Sequence, residues 1–146
     1  MRPLLFSYMA TSQESNASQD FIKNQKEIHG RSLAIEKVIS IIQVGVSDIF
    51  AIYAGMPVYA ESKWINKITQ INKEPFKPIQ IEFMRRKSLA GAMCIGLLLN
   101  DNEPRYILWN EIPSNGHITK EQFLSAEILN WQMLKLHWTQ NILTNF

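Results

Sequence analysis

The chain has 146 residues, of which 46% are hydrophobic and 19% charged, and a formal net charge of +2. This length suits one domain with its own core, the composition excludes a low-complexity chain, and the small net charge is not that of a general nucleic-acid binder. The single cysteine, Cys94, excludes an intramolecular disulfide, and its place in an apolar run reads as a buried, inert thiol.

The opening MRPLLF carries one positive charge and a short apolar patch, without the full apolar core of a signal peptide. Residues 4–10 suit a short strand or a first helical turn, and the polar residues 11–16 a loop. A helix is expected from Asn16 or Ser18, either of which can cap it. Phe21, Ile22, Ile28, Ala34, Ile35, Val38, Ile39 and Ile42 continue the helical spacing. Gly30 interrupts that run and is expected to split it, with His29 at the end of the first half. Residues 48–64, DIFAIYAGMPVYAESKW, read as a β-hairpin turning at Ala54-Gly55-Met56-Pro57. Residues 65–71 suit a short helix, Pro75 and Pro78 break regular structure, and residues 79–84 suit a strand.

Arg85-Arg86-Lys87 forms a basic cluster, read either as a solvated loop or as a patch that steers an acidic partner. Residues 88–100 form a buried helix or a buried strand, because periodicity does not separate the two. The longest apolar stretch, residues 89–99, is too short to span a bilayer, so a cytoplasmic protein is expected. Residues 105–112, RYILWNEI, read as a strand. Thr119 and Gln122 open a last long helix whose apolar face includes Trp131 and Trp138. The resulting expectation is an α+β fold, a single domain over residues 1–146 with helices on an antiparallel sheet.

No metal-ligand spacing, phosphate-binding glycine loop or G-x-S-x-G elbow occurs in the sequence. His29 is a candidate general base, against the plainer reading of an exposed helix-end histidine. Asn110 and Glu111, at the exit of RYILWNEI, can position a substrate or simply alternate along the strand. Glu61, a carboxylate between apolar neighbours, either has a raised pKa or, on the plainer reading, points to solvent. His117 precedes the last helix, where a helix N-terminus can hold an anion or the residue is merely polar loop.

With DIFAIYAGMPVYAESKW and RYILWNEIPSNG in view, the chain resembles the toxin-activating lysine-acyltransferases. His29, a helix over residues 31–42, the hairpin with GMPVYAESKW, and the later strand and helix follow in the family's order. The resemblance implies a fold related to the GNAT acetyltransferases and transfer of a fatty acyl group from acyl-carrier protein to internal lysines of a protoxin. It implies no cofactor beyond the acyl-carrier protein, a homodimer, and no nucleic acid. His29 would act as base, with Asn110 or Glu111 orienting it; the apolar run at residues 89–99 would receive the acyl chain, and Arg85, Arg86 and Lys87 would meet the carrier. The sequence departs from the family in lacking its aspartate on the later strand and the context of its histidine. A weaker resemblance, through the hairpin and SLAGAMCIGLLL, is to chorismate-lyase-like ligand-binding domains. A non-enzymatic dimerisation module using the last helix is the third alternative.

Overall fold

The computed structural model describes residues 2–38, 45–67 and 75–144, with side chains from residue 16 to 141 within those spans. The hairpin is its central feature. Strands β2 (Ile49–Tyr53) and β3 (Met56–Trp64) are joined by Ala54 and Gly55, at φ of 46° and 88°. Two successive positive φ values give the tight two-residue turn whose twist matches that of a hairpin. The turn is therefore two residues shorter than the sequence suggests, and Met56 and Pro57 already belong to β3.

Helix α1 (Arg2–His29) precedes the hairpin and a 3-10 turn, Gly30–Ser32, ends it. Gly30, at φ +54°, supplies the left-handed residue that stops the helix. The helix expected to continue beyond this point is instead strand β1 (Leu33–Lys37), in which Leu33 and Ile35 are buried while Ala34 and Glu36 are exposed. That period of two won over the looser helical spacing. At the other end the loop expected over residues 11–16 belongs to α1, and the helix expected over residues 65–71 lies partly outside the described residues.

Helix α2 (Pro78–Leu89) replaces the expected strand over residues 79–84. Pro78 stands at its first turn, where a missing N–H costs nothing, and Gln80 Oε1 accepts from the Lys77 N–H at 2.9 Å. Strand β4 (Met93–Leu99) settles the ambiguous apolar run as a strand buried along its whole length. Strand β5 (Arg105–Leu108) is shorter than expected, because Trp109–Glu111 turn into a 3-10 helix. The last helix is broken into α3 (Lys120–Ser125), β6 (Glu127–Ile128) and α4 (Trp131–Thr144). The Thr119–Gln122 capping box is present, but it opens only α3.

The six strands form one sheet in the order β1-β2-β3-β4-β5-β6. Neighbours are antiparallel except β3 and β4, which run parallel. The sheet is mixed, not antiparallel, because the connection between β3 and β4 carries α2 across one face, as a parallel pair requires. The α+β class stands. Alternation along the strands sends Ile49, Ala51, Val58, Ile95 and Leu97 to the α1 and α4 face, with Phe21 and Leu134. Cys94, Leu98 and Ile107 go to the α2 face, with Phe76, Phe83 and Met84. Among the described residues no helix is long and apolar enough to cross a membrane.

Candidate functional site

The hairpin register brings two acidic residues together. Ile49 pairs with Ala60, so one step back Asp48 stands across from Glu61. Asp48 sits at a bend just before β2, where the backbone ladder ends. Its carboxylate takes over there: Oδ1 accepts from the Ser62 N–H at 2.9 Å, and Oδ2 from the Ser62 hydroxyl. In return the Asp48 N–H donates to Glu61 Oε2 at 3.2 Å. The Asp48 carboxylate is thereby fixed to Ser62, and the Glu61 carboxylate to the Asp48 backbone.

Each carboxylate is held from a further element. Gln80 Nε2, on α2, donates to Glu61 Oε1 at 2.8 Å. Lys37, on β1, places its ammonium 3.5 Å from Asp48 Oδ2 and donates to Ser18 Oγ of α1 at 2.6 Å. Ser18 is fully buried. Glu61 is only 6% exposed, which corrects the expectation that it points to solvent. Burying the Glu61 carboxylate and half-burying that of Asp48 is costly unless cations and donors compensate, and Lys37, Ser62 and Gln80 supply part of that compensation.

Lys63 lies two residues beyond Glu61 and hence on the same face of β3. It is 8% exposed, with its ammonium 5.4 Å from the centroid of the Phe76 ring. Gly96 makes room for that ring. It pairs with Glu61 across β3 and β4, and a Cβ there would lie 2.7 Å from Phe76 Cζ. A small residue on β4 thus lets an aromatic platform reach under the lysine beside the carboxylates.

The donor set fits a small hard cation. Carboxylate oxygens are the hard ligands that such an ion prefers. Among the described residues no group of three His, Cys, Asp or Glu gathers, which argues against a cage made wholly by protein. A magnesium-type ion does not need one, because it takes one or two carboxylates and completes its shell with water and substrate phosphate.

The structure does not bring together His29, Asn110 and Glu111. His29 stacks edge-on against Tyr53 at 6.0 Å, on the α1 face beside β2. Asn110 and Glu111 are exposed on the 3-10 turn after β5, between Trp109 and Ile112, which pack on the α2 face. The two strands are three places apart in the sheet, about 14 Å at the usual spacing. Asn110 lines a cavity of about 630 Å³ with Trp109 and Trp138, and Glu111 lines another of about 210 Å³ with His137. His117 is an exposed loop residue whose N–H donates to Asn115 Oδ1 at 2.9 Å.

The basic cluster lies on α2 and is partly engaged. Arg85 forms two bonds to Glu82, at 2.8 and 2.6 Å, which hold the Glu82 carboxyl below its usual range. Lys87 lies 5.4 Å from the centroids of both Tyr59 and Phe83. Burial raises the Cys94 thiol to about 12, in keeping with an inert thiol.

No family model matches the sequence, and no curated protein matches it. Among solved structures the chain is similar to Hjc, a Holliday junction resolvase from Archaeoglobus fulgidus, with a TM-score of 0.62 at 12% identity. The match covers 78% of this chain and 94% of that one. The likeness is one of fold: an α+β architecture of the resolvase type.

It overturns the resemblance to the toxin-activating acyltransferases, and the GNAT-like fold that came with it is not confirmed. Acyl transfer, protoxin lysines, the acyl-carrier protein as partner and the exclusion of nucleic acid fall with that resemblance, and neither the lyase-like domain nor the dimerisation module takes its place. The apolar run assigned to an acyl chain is for the most part β4, buried on both faces of the sheet centre. Asp48 and Lys63 escaped the sequence reading, and Glu61 was weighed alone. The available signal was the arithmetic of the hairpin: a turn at Ala54-Gly55 sets position 48 opposite 61, with a lysine two residues on.

Proposed function

We propose that this protein is a metal-dependent nuclease that hydrolyses phosphodiester bonds in DNA. The observation that carries the reading is Asp48 fixed across the hairpin from Glu61, with Lys63 on the same strand. The fold likeness to a resolvase supports DNA as the polymer.

Asp48 and Glu61 would hold a divalent cation of the magnesium type. When bound, such an ion supplies positive charge to a phosphoryl oxygen and acidifies water at neutral pH. The chain's own residues provide the rest. Lys63 is shielded from solvent by Phe76 and adds a second positive charge where negative charge grows on the phosphate. Gln80 orients Glu61, while Ser62 and Lys37 orient Asp48; these are positioning residues. In this reading residues 1–146 work as one domain in the cytoplasm.

The test is cleavage of labelled four-way junctions, flaps and linear duplexes with magnesium or manganese, compared with chelator. Asp48→Asn and Glu61→Gln, which preserve shape and remove charge, are expected to lower cleavage by about 100-fold or more. Lys63→Met is expected to lower turnover with less effect on metal dependence. Cleavage that persists in chelator, or in both carboxylate variants, would remove this assignment.

A further inference from the structure

A second recess lies at the C-terminal ends of the parallel strands β3 and β4, a place where sheets with parallel strands commonly take ligands. It has a volume of about 390 Å³, and its walls are one face of α1, carrying Asn16, Asp20 and Asn24, the indole of Trp64, and the turn at Asn100 and Asn102. Among the described residues that line it there is no lysine or arginine, so it is not built for a phosphate. Amides offer donors and acceptors together, and the two carboxylates, Asp20 and Asp101, offer acceptors alone. Trp64 contributes an aromatic surface.

We infer that this recess binds an unpaired nucleobase of the substrate. A base offers a flat face for Trp64, and amino groups and ring acceptors for the amide and carboxylate side chains. The inference rests on the nuclease reading for its substrate class, and adds to it the form of nucleic acid preferred. The recess and the carboxylate centre share two elements. Trp64 follows Lys63 and lies two residues after Ser62, which holds Asp48; Ala17, on the recess wall, adjoins Ser18, which holds Lys37. Trp64 is one residue beyond Lys63 on β3 and so faces the other side of the sheet, and the base belongs to a nucleotide other than the one whose phosphate meets Asp48 and Glu61. A base stacked inside a duplex cannot reach such a wall, so the preferred strand has an unpaired or extruded base at that step.

The test needs no cleavage. The indole N–H signals of the full chain, labelled with ¹⁵N, are followed by NMR while free nucleosides or ribose 5-phosphate are added, and Trp64→Phe identifies the Trp64 signal. Nucleosides are expected to move that signal and ribose 5-phosphate is not. In chelator, a gapped DNA with one unpaired base is expected to bind about tenfold more tightly than the same DNA with an abasic residue, and Trp64→Phe to narrow that gap. A Trp64 signal unmoved by every nucleoside, or moved equally by ribose 5-phosphate, overturns the inference. A moved signal in a protein that fails the cleavage test leaves the recess standing and removes the nuclease reading alone.

Discussion

Gly116 shows how one residue supports the centre from a distance. It holds φ at +79°, and a Cβ there would lie 1.7 Å from the carbonyl oxygen of Phe76. The backbones are also joined, since Phe76 N–H donates to Gly116 O at 3.0 Å. No rotamer change relieves a clash with backbone, so Gly116→Ala must displace the segment that carries the Phe76 ring. The expected cost is roughly 3 kcal/mol or more, read from the urea midpoint, with a parallel loss of whatever activity depends on Lys63. By contrast the Glu82–Arg85 pair is fully open to solvent, and Glu82→Gln is expected to leave the midpoint unchanged within error.

At the scale of elements, polar side chains fasten helices to the sheet. Gln80 does this twice, accepting from the Lys77 N–H at the start of α2 and donating to Glu61 of β3. If Glu61 holds a metal as proposed, Gln80→Ala is expected to leave the fold intact and weaken metal binding about tenfold, since outer partners of a ligating carboxylate commonly carry that much. Isothermal titration with magnesium or manganese measures it without turnover. The second fastening is Trp131 of α4, whose Nε1–H donates to Gln25 Oε1 of α1 at 2.8 Å inside the core. Gln25→Leu keeps the volume but strands the indole N–H, and is expected to cost about 1–3 kcal/mol in chemical denaturation. Tyr53 stacks on the same tryptophan at 5.9 Å, so Trp131 fluorescence is a local reporter of this joint.

The whole molecule should be sensitive to alkali. Burial lifts the Cys94 thiol from an ordinary 9.0 to about 12, and burial with the Glu127 bond lifts the Tyr106 phenol from 10.0 to about 12. Both folded-state values lie above the unfolded ones, so folding favours the protonated forms. Their contribution to stability is complete below the unfolded pKa values and is lost as the pH rises from about 9 to about 12. The denaturant midpoint is expected to fall across that window, and Cys94→Ala to flatten its lower part. At pH 8 Cys94 is expected to resist thiol reagents until the protein is unfolded.

The sequence by itself determined the local pieces whose chemistry is contained within a few residues. The Ala54-Gly55 turn and its flanking β-branched and aromatic residues specify the hairpin, and Thr119 with Gln122 specifies a helix start. With that turn placed, the pairing of position 48 with 61 was also legible, because register in a hairpin follows from loop length. Reading Asp48 as a strand start and Glu61 as a lone carboxylate hid it. Only the tertiary structure decided the rest. Residues 33–37 fit two periods equally well in isolation, and pairing with β2 made them a strand. Residues 78–89 became a helix as part of the crossover that leaves β3 and β4 parallel. That same crossover carries Gln80 and brings up Phe76, while α1 and β1 bring Ser18 and Lys37. Side chains 19 residues apart meet here through packing of whole elements, a long-range free energy that no window of the sequence contains.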